Sequence, residues 1–306
     1  MNNYYVKRVL SAILTLLIVA SITFFMMKII PGGPFTREKA LPPELIEALE
    51  AKYDLDKPVF IQYLNYMKGI VSFDLGPSFQ RVGYSVNRLI KEGFPTSAKI
   101  GGMATLVIIS VGIPVGIISA LKQHKPIDYI VMFGATLGVT IPSFVVATLI
   151  IYFFAGKLGV LPSFGASSPL WMVGPVIALS GYSLSFVARL TRSSMLEVLR
   201  QDYVRTARAN GLSEFKVIGK HALKNALIPV VTYIGPMVAA ILTGSFVIEK
   251  IFALPGMGKY FVESVGNRDY TVIMGMTVFY AAFYIVMVLI VDILYTFIDP
   301  RIKIDG

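Results

Sequence analysis

Apolar residues in this chain gather into six runs, each long enough to cross a lipid bilayer, and polar residues are confined between them. The first run, Val9 to Met27, is uncharged and matches the roughly 20 residues that a hydrocarbon core about 30 Å thick demands. Five more follow at about Lys99 to Leu121, Tyr129 to Ala155, Leu170 to Leu190, Leu227 to Ile248 and Thr271 to Ile298. Two stretches break the rhythm. From Pro31 to about Thr96 the chain is mixed and charged, with Pro42-Pro43 opening a short helix through Lys52. Phe60, Ile61, Leu64 and Met67 then suggest one packed face of a second helix. The other stretch, Arg200 to Pro229, is basic and reads as helix, turn, helix. Val204, Ala207 and Arg208 keep a helical spacing up to Asn210-Gly211, which suits a helix C-terminus. Ser213 can cap a second helix carrying Val217, Ile218, Ala222 and Leu223, which Pro229 interrupts.

Composition agrees with the runs. Of 306 residues, 55% are hydrophobic and 15% charged, and the mean hydropathy is +0.70. That composition excludes a water-soluble globule and implies an all-α polytopic membrane protein. Lys7-Arg8 before the first run place the N-terminus inside, and its length and flanks read as a retained helix rather than a cleaved signal. Lys28 can snorkel at the other end. The inner loops then hold Lys122 to Lys125, Arg189 to Lys224 and the tail Arg301 to Lys303, whereas the short outer loops hold Lys157, Lys250, Lys259 and Arg268. Topology accounts for the net charge of +10, so no nucleic-acid partner is expected; membrane lipid is.

Catalytic constellations are missing from the sequence. No phosphate loop is present, since Ala253 and Tyr260 stand where its first Gly and its hydroxyl residue belong around Gly258-Lys259. His124 and His221 are too few and too far apart for a metal cluster, no Cys is available for thiolate ligation, and Gly181 to Ser185 is not a nucleophile elbow. The expectation is therefore a chain that is not an enzyme and holds no metal or cofactor. Asp292 is the carboxylate well inside a span, as a structural partner or a proton-coupling group. Gly112 with Gly116 and Gly134 with Gly138 offer close helix approach. Pro114, Pro142, Pro175, Pro229 and Pro236 offer kinks. Hydroxyl side chains at Thr140, Ser143, Thr232, Thr243 and Ser245, with Tyr233, could line a hydrated path or bond between helices.

The basic stretch resembles the coupling loop of ABC importer permeases. Arg205, Thr206 and Ala207 stand at the Glu-Ala-Ala places of that motif and Gly211 at its Gly. His221 replaces the motif's Ile, Leu223 matches its Leu, and the proline comes late, at Pro229, as in the peptide and nickel branch. Ile248 to Gly258 resembles the outer-mouth signature of these permeases, and Asn267 to Tyr270 and Asp299 to Arg301 also agree. Pro31 to Glu44 resembles the insertion of the B-type oligopeptide permease subunits.

This resemblance implies a type I ABC importer permease fold with six transmembrane helices and an extracytoplasmic insertion after the first. The expected divisions are 1–30 as the first helix and 31–97 as the insertion. Residues 98–298 form the core, with the coupling loop at 191–228, and 299–306 the inner tail. It implies a prokaryotic plasma-membrane location with both termini cytoplasmic, and a peptide substrate, with dipeptide or nickel as alternatives within the branch. Implied partners are a homologous second permease subunit, two ABC ATPase subunits that bind the ATP and Mg, and an external solute-binding protein. Coupling to the ATPases is expected from Arg205, Thr206, Ala207, Gly211, Leu212, Ser213, His221, Leu223 and Asn225. The path is expected to use Thr140, Ser143, Tyr233, Thr243 and Ser245, and the outer gate Glu249, Pro255, Gly256 and Gly258. Rival classes are an ion-driven transporter, a channel and an intramembrane enzyme.

Overall fold

The computed structural model describes residues 2–35 and 42–298, with side chains for 6–35 and 42–290. Among the described residues the only extended pairing is one isolated bridge, Pro77 with Ser85, and the rest of the regular structure is helical. In chain order, α1 is Asn2–Ile29, α2 Pro43–Lys52, α3 Val59–Val71 and α4 Val86–Val107. A π-helical turn, Ile108–Gly112, leads into α5, Ile113–Leu121, and then come α6, Pro126–Thr140, and α7, Ser143–Ile150, which ends in a second π turn, Ile151–Lys157. Helix α8 is Val173–Leu199 and α9 Asp202–Ala209. After α10, Glu214–Lys216, a third π turn over Val217–Ala222 passes into α11, Leu223–Ala226. The remainder is α12, Ile228–Leu242, α13, Phe246–Ile251, α14, Met257–Gly266, and α15, Tyr270–Ile298.

Five stretches are long and apolar enough to cross a membrane: Val6–Ile29, Val86–Leu121, Val173–Leu199, Ile228–Ile251 and Tyr270–Ile290. A sixth is the pair α6 and α7, bent by 102° at Ile141-Pro142. The six expected runs are therefore all present, with two corrections. The third run is a broken helix, because Pro142 cannot donate the hydrogen bond that would continue α6. The fourth runs to Leu199 rather than Leu190, so 191–199 is helix and the polar connection starts at Arg200. Charged Arg189 and Arg192 sit in α8 at no cost to the helix, since arginine is a good helix former.

Contacts divide the chain into two compact units, one containing residues up to Pro95 with Gly256–Leu289, the other Thr96–Pro255. The division at Pro95 falls close to the expected insertion boundary at 97, but α4 runs through it from Val86 to Val107, and α14 and the start of α15 cluster with the segment before it.

In the first unit, Val86, Leu89 and Ile90 pack with Met257, Val272 and Met276. Buried Asp269 fastens the connecting loop. Its carboxylate accepts from the Ser78 hydroxyl and from the N–H groups of Phe79 (3.1 Å) and Gln80 (3.3 Å), and it caps α15 by accepting from Val272 N–H (3.4 Å). Arg81 pairs with Glu263 at 2.5 Å. The sequence expectation for α3 fails: Phe60, Ile61 and Leu64 are exposed and Gln62 is buried. Gln62 accepts from Lys28 and donates to the carbonyls of Leu55 (2.9 Å) and Lys57 (2.6 Å), so a saturated polar group occupies the inner face. Tyr63 and Tyr66 of the same face contact Phe24 of α1, with ring centroids 5.4 and 5.6 Å away. Lys28 accordingly turns to Gln62.

The second unit is built on α8, along which α5, α6, α7 and α12 pack. Small residues decide how closely. A Cβ at Gly116 would stand 2.5 Å from the Ala188 carbonyl oxygen and 2.6 Å from Thr191 Cβ. At Gly112 it would meet Val187 at 3.1 Å, and at Gly138 it would run into the Ser185 hydroxyl, whereas Gly134 faces open space. Three of the four glycines picked out by sequence thus seat α5 and α6 against α8.

Candidate functional site

The hairpin 200–226 rests on the ends of α5 and α8. Val204 and Ala207 of α9, Val217 and Ala222 of the π turn and Ala226 of α11 form one buried cluster with Ala120 and Met195, flanked by Ile117, Leu196 and Leu199. In a π turn the hydrogen bonds run from i to i+5, so residues five apart, Val217 and Ala222, share a face. Each fully buried valine here contributes about 1.5–3 kcal/mol relative to exposure. The two arms are tied beside the turn, where Arg208 Nε and Nη2 donate to Glu214 at 2.8 and 3.4 Å, and again near the base, where Asn225 Nδ2 donates to the Tyr203 hydroxyl at 2.8 Å. Gly211 turns the chain with φ +74°, a conformation that L residues adopt at a cost. Ser213 occupies the cap position of α10 and is exposed, but its side chain makes no capping bond.

The coupling residues expected from the sequence therefore split in two. Arg205, Thr206, Gly211, Leu212, Ser213 and Asn225 are exposed. Ala207 is buried, and Leu223 packs against the cluster beneath, with His221 half-buried. Sequence reasoning missed Phe215. It is 88% exposed, in a hairpin whose Arg205, Lys216, Lys220 and Lys224 are exposed as well. The signal was available: Phe215 is a large apolar residue off the period of Val217, Ala222 and Ala226.

The hydroxyl set gathers at helix breaks. Thr140 and Ser143 flank the corner between α6 and α7, and Thr243 and Ser245 flank the break between α12 and α13. Helix α13 packs on α7. Non-helical backbone at membrane depth is tolerated where protein buries it or water lines it. Thr140 and Thr243 donate to the carbonyls of Thr136 (2.8 Å) and Ala240 (2.6 Å), Thr232 to that of Ile228 (2.9 Å), and Ser245 caps α13. Tyr233 packs its ring on Phe186, centroids 4.3 Å apart.

Glu249 of α13 is 1% exposed, and Gly244 (φ +93°) leaves it room, since a Cβ there would lie 2.6 Å from its carboxylate. Glu249 and Pro255 belong to the second unit, Gly256 and Gly258 to the first. Gly256 caps α14 and packs against Gly93, where an added Cβ would come within 3.0 Å of the Gly256 carbonyl carbon. The Asp292 side chain and the stretch Asp299 to Arg301 lie outside the described residues.

Residues 112–304 match the family described as binding-protein-dependent transport system inner membrane component, and residues 1–101 match the N-terminal model of such membrane components. The chain is 50% identical over 304 residues to the dipeptide transport system permease protein of Bacillus subtilis, covering 99% of each chain. It is 47% identical over 305 residues to the oligopeptide transport system permease protein of Salmonella typhimurium, covering 99% of this chain and 100% of the relative. Among solved structures, the MetNI methionine ABC transporter aligns with TM-score 0.51 at 18% identity, over 70% of this chain and 95% of that one. An amino acid ABC transporter aligns with TM-score 0.50 at 20% identity, over 71% of this chain and 95% of that one. The fold is thus that of ABC transporter membrane subunits. Family models spanning both halves of the molecule, with full-length relatives at these identities, show that the chain belongs to the binding-protein-dependent transport system inner membrane components.

Proposed function

We propose that this chain is the permease subunit of an ATP-driven peptide importer, forming half of a translocation path with a homologous second subunit. The observation that carries the reading is the exposed basic hairpin 200–226, with Phe215 at its surface and a buried anchor on α5 and α8. Such a surface fits a groove of an ATPase whose nucleotide-driven closure supplies force. Peptide as cargo rests on the relatives, which belong to both dipeptide and oligopeptide transport systems. ATP and Mg are held by two ATPase subunits, and an external solute-binding protein delivers the cargo. Chemistry belongs to those partners and this subunit converts their motion. Both termini and the hairpin face the cytoplasm of a prokaryotic cell, and Glu249 with the following Pro-Gly-x-Gly turn borders the outer mouth.

Co-expression with the companion ATPases and binding protein, followed by reconstitution in liposomes, tests this. Peptide uptake is expected to require all components and ATP; uptake by the single chain on an ion gradient refutes the reading. Because the chain has no native cysteine, Ser213→Cys is a single-site topology probe. A membrane-impermeant maleimide is expected to label it in inside-out vesicles, and labelling of intact cells would invert the topology.

A further inference from the structure

We propose that Asp128 and Arg192 form the joint that makes α5, α6 and α8 follow the coupling hairpin as one body. Asp128, in the first turn of α6, is 2% exposed, and four donors converge on its carboxylate. The buried Ser119 hydroxyl of α5 donates at 2.5 Å, and the backbone N–H of His124 donates at 3.0 Å. Arg192 of α8 donates twice, from Nε at 2.6 Å and Nη2 at 2.8 Å. His124 holds φ +61° in the turn before α6, an uncommon conformation for a residue with a Cβ, so local backbone preference is overridden where this N–H is offered.

Position gives the joint its role. On one side lies the seam where Gly112, Gly116 and Gly138 bring α5 and α6 into close contact with α8. On the other lies the hairpin anchor, whose Ala120 and Met195 are one and three residues beyond Ser119 and Arg192. Helix α8 continues without a break from Arg192 to Leu199, where the hairpin begins. A bidentate, nearly dry ion pair resists shear, because sliding one helix leaves a buried charge unpaired. The helical path itself is broken beyond the seam, at the 102° corner of Ile141-Pro142, and this is the place where the wedge can swing. Asp128 and Arg192 are thus positioning residues for transport.

The inference rests on the coupling role proposed for the hairpin, and its test separates the two. Spin labels on Ile130→Cys of α6 and Tyr182→Cys of α8, both exposed, report rigidity in the full chain without any ATPase. A narrow distance distribution is expected in the parent and a broadened one in Asp128→Asn. In the reconstituted importer, Asp128→Asn with Arg192→Gln removes both charges and spares the fold an orphaned ion. Uptake per ATP hydrolysed is expected to fall about tenfold, within the usual range of coupling between sites, while hydrolysis and thermal midpoint persist. Arg192→Lys, which keeps the charge and loses the fork, is expected to fall between. Unbroadened distances in Asp128→Asn, or parental uptake per ATP in the double variant, overturn the joint. A parent importer without ATP-dependent uptake refutes the functional reading instead and leaves the distance measurement to decide the joint.

Discussion

Gly116→Ala isolates the close seam between α5 and α8. A single methyl would stand 2.5 Å from the Ala188 carbonyl oxygen and 2.6 Å from Thr191 Cβ. Both are roughly 1 Å short of the ordinary contact distance of about 3.5 Å. Neither neighbour is the free end of a long side chain: one is helix backbone and the other a β-branched Cβ. The helices must therefore separate, and overpacking of this kind costs about 1–3 kcal/mol. Gly134→Ala is the control, because it faces open space. There the better helix propensity of alanine is expected to be neutral or stabilising, by up to about 1 kcal/mol. The chain's one tryptophan, Trp171, packs beside the core of the same unit and serves as a native reporter. Thermal unfolding in detergent followed by its fluorescence should show a lowered midpoint for Gly116→Ala and an unchanged or raised one for Gly134→Ala. A midpoint for Gly116→Ala at or above the parent would refute the argument, since propensity alone would then decide both sites.

Gly211→Val meets no neighbour, so its penalty is confined to the backbone at φ +74° and is expected to be about 1–2 kcal/mol. Hydrogen exchange should show the hairpin loosened and the spans unchanged, with uptake lost, and Gly211→Asn should lose less. Phe215→Ala should leave the thermal midpoint alone, given 88% exposure, yet weaken ATPase association by about 2 kcal/mol or more, roughly 30-fold; a binding isotherm checks both. Asp269→Ala removes the acceptor for Ser78, Phe79 and Gln80, each bond to a carboxylate contributing about 1.5–3 kcal/mol. Trypsin should then cut after Arg81 faster than in the parent, and an unchanged rate would show that Arg81 with Glu263 holds the loop unaided.

Much of the site was legible in advance for an identifiable reason. Gly211 and the buried pair Val204 and Ala207 obey local rules of turn and helix, so their places follow from neighbours in sequence, whereas Val217 and Ala222 share a face only because the helix there widens into a π turn. Phe215 was overlooked because a reading by period discards what does not fit, and here the misfit is 88% exposed. The α3 expectation failed for a related reason: apolarity marked Phe60, Ile61 and Leu64 as interior, but Gln62 finds all its partners inside, at Lys28, Leu55 and Lys57. Asp128 and Arg192 stand 64 residues apart, and nothing local to either pairs them.

Membrane residence and the count of six spans are written in the chain itself, because a bilayer demands long apolar runs whatever surrounds them. The turn at Gly211 is equally local, since it is a property of one residue's backbone. Folding decided that the third run breaks at Pro142 and which glycines of two similar pairs touch α8. It also decided that a carboxylate and a guanidinium from separate spans close the base of that wedge. Those outcomes depend on which helices become neighbours, and adjacency between distant segments is settled by packing, to which a reading of local periods has no access.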